Sequence, residues 1–356
     1  MGGNAANAAG ALLIVLLTLV AAHLGQTVVE PVVFAVFIIA LIFPLQSALE
    51  ARLPRWAALI VTVAGALAVV ITLSSLIVWA GGELVNWFAG NLDRVRASFE
   101  ASTKWLETHD IFIGALITEH VNAAWMLDVI RAAATRANVL AGFALVVFVY
   151  VVMGLAESSV LKKNIAAATD EETAMRLLRA SSRIAQKFRR YMLVRTVASL
   201  VTGALVFLFA LLIGLDRPAA WGVLSFALNY LPYIGSLVVT VLPALFAYVQ
   251  FDSAQAALLV LGALGLIQIV IGSVIEPVFS GTALAMSPTI VVFAVLLWTF
   301  LWGLPGAFIG VPIAIAVLTL CEHFPSTRWI ARIAAGEAPR EGGVAGRGPI
   351  GLNKDS

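Results

Sequence analysis

Charge is scarce in this chain of 356 residues: Asp, Glu, Lys and Arg make up 12%, about half the share usual in a soluble domain. Apolar side chains reach 61% and mean hydropathy is +1.00, which excludes a soluble domain and calls for a polytopic membrane protein. The single cysteine, Cys321, rules out an intramolecular disulfide. With only four scattered histidines it leaves no thiolate or imidazole set for a metal, so no metal and no cofactor is expected. A net charge of +2, without a basic patch interleaved by aromatics, gives no nucleic-acid partner. Also missing are G-x-x-x-x-G-K-[ST], H-E-x-x-H and G-x-S-x-G, and with them the ATP-driven pump, the zinc protease and the serine hydrolase. No Ser–His pair or pair of membrane aspartates marks an intramembrane protease. The chain is therefore expected not to be an enzyme, and any transport must draw on an ion or solute gradient.

What is present is helix-forming apolar sequence, and the expected fold is all-α with about eight spans. Residues 1–10 are a small, uncharged tail. The 11–80 stretch holds three spans (11–24, 31–49 and 56–80), punctuated by Gly25, Pro31 and Pro44, with Trp56 and Trp79 at aromatic-belt depths. The first of these has a signal-like apolar core but no positive flank, so it reads as a retained span. Over 81–138 the pattern turns amphipathic (Leu84, Trp87, Phe88, Leu92, Val95), predicting a helical extramembrane insert. A fourth span covers 139–156.

The loop 157–191 then carries eight Lys and Arg against four Asp and Glu. Within it Thr169-Asp170-Glu171-Glu172 predicts a helix N-terminus. The positive-inside rule puts this loop and Arg52–Arg55 in the cytoplasm and the insert outside. Four C-terminal spans fill 192–322 (192–214, 219–251, 254–275 and 287–320), completing eight crossings with both termini cytoplasmic. The tail 323–356 is basic at Arg328, Arg332, Arg340, Arg347 and Lys354, and from Gly336 it loses apolar periodicity and is expected to be disordered. Arg195, close to the basic loop, is expected to snorkel to the cytoplasmic face. No internal repeat is visible.

Two of the C-terminal runs are too long for one crossing of about 20 residues. The run 219–251 is interrupted by Asn229-Tyr230-Leu231-Pro232-Tyr233-Ile234-Gly235. Pro232 cannot donate to a helix ladder and Gly235 tolerates unusual backbone. Non-helical backbone at membrane depth survives only in protein or beside a wet cavity, where transporters place substrate sites. A proline-kinked packing helix is the plainer alternative, and a single crossing or a re-entrant hairpin are both compatible with the run. Ser225, Asn229 and Tyr233 share a helical stripe leading into the break. Gln268, Gly272 and Glu276 repeat the spacing, and Glu276-Pro277 ends that span. A carboxylate there is either a proton- or cation-coupling group or a water-exposed helix end. The last run carries Trp298, Trp302, Gly303, Pro305 and Gly306, then Gly310 and Pro312; the glycines favour close packing in a bent helix.

Taken together, these pieces resemble the autoinducer-2 exporter (AI-2E) family. They are Asn229–Gly235 with Pro243 downstream, Ile275-Glu276-Pro277 with Gly281, Ser287-Pro288, and Gly303-x-x-Gly306 leading to Gly310-Val311-Pro312. The Pro31…Pro44 opening ending at Arg52-Leu53-Pro54-Arg55 fits as well, and the likeness covers about residues 10–330. Two departures are Ser236, where the family often has proline, and the bulky Trp298/Trp302 pair. The resemblance implies an inner-membrane permease in a homo-oligomer, exporting a furanone-type quorum signal or exchanging sodium or lithium for protons. Substrate candidates are Ser225, Asn229, Tyr230, Pro232, Tyr233, Gly235, Gln268, Glu276, Pro277, Trp298 and Trp302. Tyr230, Tyr233 and the tryptophans suit a small hydroxylated solute; Glu276 suits a monovalent cation. A non-transporting membrane scaffold acting through 81–138 is the rival of a different class.

Overall fold

The computed structural model describes residues 2–108, 142–157, 170–275, 286–324 and 327–335, with a few isolated positions between 160 and 168. The described residues are helical almost throughout, with no strand among them, so the chain is an all-α polytopic membrane protein. In order the helices are α1 (Gly2–Leu24), α2 (Gln26–Glu50), α3 (Arg55–Gly90), α4 (Leu92–Thr108), α5 (Gly142–Glu157) and α6 (Glu171–Leu212). Then come α7 (Pro218–Leu228), α8 (Ile234–Phe251), α9 (Ala254–Val270), a π-helical extension Ile271–Ile275, α10 (Pro288–His323) and α11 (Arg328–Ala335). By length and composition six of these are long and apolar enough to span: α2, α3, α6, α8, α9 with its extension, and α10.

Two helices form long rods. The 36 residues of α3 run past the third predicted span to Gly90 and take in the first part of the 81–138 insert. α4 continues that insert to Thr108, and its remainder, from 109 to 138, lies outside the described residues. In α6 the polar stretch after Asp170 and the apolar span after Tyr191 form one helix of 42 residues, roughly 63 Å long at 1.5 Å per residue. Asp170 starts it as the predicted helix terminus requires: its carboxylate accepts from Thr173 N–H at 2.9 Å, and Glu171 and Glu172 sit in the first turn. The polar first half of α6 defines a basic end of the molecule; Leu212 marks the far end.

The interrupted run 219–251 is a hairpin. It does not cross. Gln250, at the end of α8, donates from Nε2 to Gly214 O and accepts from Asp216 N–H, both at 2.8 Å, so α8 finishes where α7 begins. The fully buried Phe246 of α8 packs its ring 5.2 Å from that of Trp221 on α7 and 4.0 Å from Trp87 on α3. Both ends of the hairpin thus sit beside the far end of α6. Its base is tied to α3 by Trp87 Nε1–H donating to Asp216 (2.7 Å) and by Arg217 pairing with Glu83 (2.6 Å). Between α6 and α7, Gly203 and Gly222 let the backbones touch: a methyl on Gly203 would stand 2.8 Å from the Gly222 oxygen.

The last run also folds back, which corrects its expected reading as one bent helix. Gly303 has φ 67° and ψ −143°, a conformation open to glycine and strained for any L side chain. Beyond it, a methyl on Gly306 would overlap the Trp298 carbonyl, and one on Gly310 would stand 2.9 Å from the Ala294 oxygen. The pairs 298/306 and 294/310 are centred on residue 302, so the two halves of α10 lie antiparallel. Both open toward the basic end, where Glu322 pairs with Lys187 of α6 at 2.9 Å. The tip meets the α1–α2 joint: Trp302 Nε1–H donates to Ala22 O at 3.0 Å, and His23 Nδ1 lies 3.0 Å from Leu301 O. Two hairpins therefore enter from opposite ends. Because both runs double back, α9 starts beside the far end of α6, where α8 finishes, and heads toward the basic end, opposite to the direction implied by eight consecutive crossings.

Candidate functional site

In hairpin 1, the α7–α8 pair (the folded-back α10 is hairpin 2), the tip is non-helical backbone. α7 stops at Leu228 and α8 starts at Ile234, with Tyr233 at φ 62° between them. Pro232 removes a donor, and Gly235 is required because a Cβ there would overlap the Leu228 carbonyl. Two side chains of the tip bond to α6. Asn229 Nδ2 donates to Ser199 Oγ at 3.2 Å and Tyr230 OH donates to Thr196 Oγ1 at 2.9 Å. Thr196 precedes Leu212 by 16 residues, so the tip reaches about 24 Å from the far end of α6. Such a reach is most of the roughly 30 Å thickness of a hydrocarbon core.

Below the tip is a cavity of about 510 Å³. One wall is the tip itself, with Asn229, Leu231, Pro232, Tyr233 and Ser236; a second is α6, with Tyr191, Val194 and Arg195. Gln268, Ile271 and Gly272 contribute from the end of α9. Met286, Pro288, Val291 and Val311 close it from both arms of hairpin 2. The volume falls within the range of small-molecule sites. The walls mix apolar surface with donors: the Arg195 guanidinium, the Tyr191 and Tyr233 phenols, the Ser236 hydroxyl and the amides of Asn229 and Gln268. Gln268 Nε2 is buried and has no partner among the described residues, a donor left for something else to satisfy. Beside it the helix widens to π geometry at Ile271–Ile275, a distortion frequent at functional sites.

Four of the sequence-derived candidates, Asn229, Pro232, Tyr233 and Gln268, line this cavity. Gly235 supports it from behind. Ser225 is buried on α7 one turn before the tip, its carbonyl taking the Asn229 N–H. Because α7 ends at Leu228, the Ser225–Asn229–Tyr233 stripe stops being helical before Tyr233. Tyr230 turns away to Thr196 and to Phe308, ring centroids 6.1 Å apart. Trp298 and Trp302 pair with each other at 4.6 Å in hairpin 2, apart from the cavity lining. Gly303, Pro305, Gly306, Gly310 and Pro312 all belong to that hairpin. Glu276, Pro277 and Gly281 lie outside the described residues.

Arg195 is the main addition. It was expected to snorkel to an interface; instead it stands in the cavity wall. Its Nε donates toward the Tyr191 hydroxyl at 3.5 Å, and its guanidinium carbon lies 6.0 Å from that ring. It is the one ionisable cation among the described lining residues. The legible signal was the spacing Tyr191, Arg195, Ser199: one face of an apolar span carrying a phenol, a guanidinium and a hydroxyl.

Comparison with known proteins gives the family. The profile of the AI-2E family transporter matches residues 12–326. A protein of Borreliella burgdorferi named as a candidate transport protein is 30% identical over 194 residues, 53% of this chain and 54% of its own. The AI-2 transport protein TqsA of Escherichia coli K12 is 35% identical over 146 residues, 40% of this chain and 42% of its own. A further candidate transport protein, from Haemophilus influenzae, is 25% identical over 331 residues, 88% of this chain and 91% of its own. The matches thus span about half the length of the first two relatives. The chain belongs to the AI-2E transporter family.

Proposed function

We propose that this AI-2E family transporter is an inner-membrane permease that moves a small, hydroxylated or otherwise acceptor-rich solute through the cavity beneath hairpin 1, without ATP. The observation that carries the reading is a donor-lined space of about 510 Å³ walled by two broken, oppositely entering hairpins. Half-helices that end at membrane depth bring backbone polar groups to a solute that water would otherwise hold. The name of the Escherichia coli relative, an AI-2 transport protein, adds support for an autoinducer-like solute. No bond is made or broken in this reading. The basic end is assigned to the cytoplasm on its lysines and arginines, with both termini on that side and the protein in a homo-oligomer. Flux of radiolabelled autoinducer-2 in proteoliposomes, set against protein-free vesicles, tests the reading. Accumulation no faster than in the empty vesicles, for this and a panel of small polyols, would sink it.

A second reading is sodium- or lithium-driven proton exchange. Its motivation is positional: Glu276 belongs to the segment joining Gly272 and Met286, both of which line the cavity. Cation-driven proton movement in the same vesicles, abolished in Glu276→Gln and partly kept in Glu276→Asp, would favour it.

A further inference from the structure

α11 is a short helix whose three faces do different things. Ala331 and Ala334, i and i+3, are buried. Trp329 and Ile333, i and i+4, point outward at 60% and 70% exposure, with Ile330 beside them at 37%. Arg328 and Arg332, again i and i+4, occupy the remaining arc and are exposed. At 100° per residue the arginines flank the docked alanines on one side and Ile330 flanks them on the other, while Trp329 and Ile333 occupy the outward face between. A free, water-facing helix has no use for an indole and two isoleucines. A helix lying in the bilayer interface does: the apolar face enters the acyl boundary and the cationic flank meets the headgroups.

Its position fits that occupant. Arg328 Nε donates to Glu322 O at 3.3 Å, and Glu322 pairs with Lys187, so α11 sits at the basic end where α6 changes from polar to apolar. The cytoplasmic leaflet is negatively charged and attracts juxtamembrane arginine. One backbone bond ties the helix to the transport cavity: Ser287 N–H donates to Ala334 O at 2.9 Å. Ser287 is the N-cap of α10, and its neighbours Met286 and Pro288 both line the cavity.

We propose that α11 is a binding site for anionic phospholipid, with Arg328 and Arg332 on the phosphodiester headgroups and Trp329 and Ile333 at the acyl boundary. Bound lipid fastens the cytoplasmic rim of the cavity to the leaflet.

The test uses the full chain in phosphatidylcholine vesicles with increasing phosphatidylglycerol, both lipids brominated near the top of their chains. Wild type minus Trp329→Phe isolates the fluorescence of one tryptophan among nine. Trp329 is expected to be quenched, and more strongly as phosphatidylglycerol rises. Arg332→Gln raises the phosphatidylglycerol fraction for half-maximal quenching roughly fivefold, the equivalent of about 1 kcal/mol for one basic group at an anionic surface. Arg332→Lys largely keeps the wild-type value. Both variants are checked for unchanged elution and melting. Trp329 unquenched in every vesicle, whether water, a second copy or another protein covers it, overturns the proposal. So does quenching indifferent to phosphatidylglycerol and to Arg332→Gln.

Discussion

Asn229 at the tip of hairpin 1 donates to the hydroxyl of Ser199 on α6, 3.2 Å away, and both side chains are buried. This bond and its neighbour from Tyr230 to Thr196 hold a proline-broken turn against a continuous helix. Removing one partner leaves a buried polar group unpaired, at about 1–3 kcal/mol. Asn229→Ala should therefore lower the melting temperature more than Ser199→Ala, because Asn229 also lines the cavity and its loss opens the tip. In flux assays Asn229→Ala should lose most of the transport rate and Ser199→Ala a part of it. Equal rates in all three proteins would show that the tip has no part in translocation.

The fold of hairpin 2 rests on glycine in a way that a single methyl exposes. Gly306→Ala pushes a methyl into the Trp298 carbonyl, and no side-chain rotation relieves a backbone overlap. Gly262, exposed on α9 with nothing near its missing Cβ, is the control: alanine there removes chain entropy from the unfolded state and should stabilise by up to about 1 kcal/mol. Detergent-purified Gly306→Ala should be poorly folded or melt well below wild type, whereas Gly262→Ala should match or exceed it. Similar melting of both would mean that the α10 halves are not packed as described.

The sequence carried these elements unequally. Helix class and the break at Asn229–Gly235 were legible because apolar runs, Pro232 and Gly235 act locally. The doubling back of α10 was not. Gly303, Gly306 and Gly310 read equally well as a smooth helix face, and only the pairing of residue 298 with 306 distinguishes a hairpin from a bend. Arg195 was misplaced for a related reason: its distance from the basic loop fits snorkelling, while the cavity it lines together with the tip of hairpin 1 is formed only by the tertiary fold. Tyr230 and Ser225 share the run with Asn229, yet the end of α7 turns them to other neighbours.

Asp170 offers a pH-dependent readout outside the membrane. The Thr173 N–H it accepts holds its carboxyl below the usual range. A depressed folded pKa means the cap contributes stability above the unfolded value, near 4, and that this is lost as pH falls through the lower folded value. Amide exchange in the first turn of α6 should thus be slow at neutral pH and faster, relative to intrinsic rates, in strong acid. Asp170→Asn should keep slow exchange and lose the pH dependence, since asparagine caps without titrating. An unchanged acid response in Asp170→Asn would place the titrating group elsewhere.

Arg195 separates the two transport readings. A fixed guanidinium in the cavity wall attracts hydrogen-bond acceptors and repels a bare monovalent cation entering the same space, more strongly than in water because the surroundings are less polar. If the solute is acceptor-rich, Arg195→Gln removes a charged hydrogen bond worth about 1.5–3 kcal/mol, which raises KM roughly ten- to a hundredfold. Arg195→Lys restores part of the charge but not the planar fork, and should fall between. If the protein exchanges sodium for protons, the sign reverses: taking away the positive charge should ease cation binding and lower the sodium concentration for half-maximal proton movement. Measuring both fluxes in the same preparation of Arg195→Gln therefore decides between them. A solute KM that rises while no sodium-driven proton signal emerges assigns the cavity to the solute; the opposite pair of results assigns it to the cation.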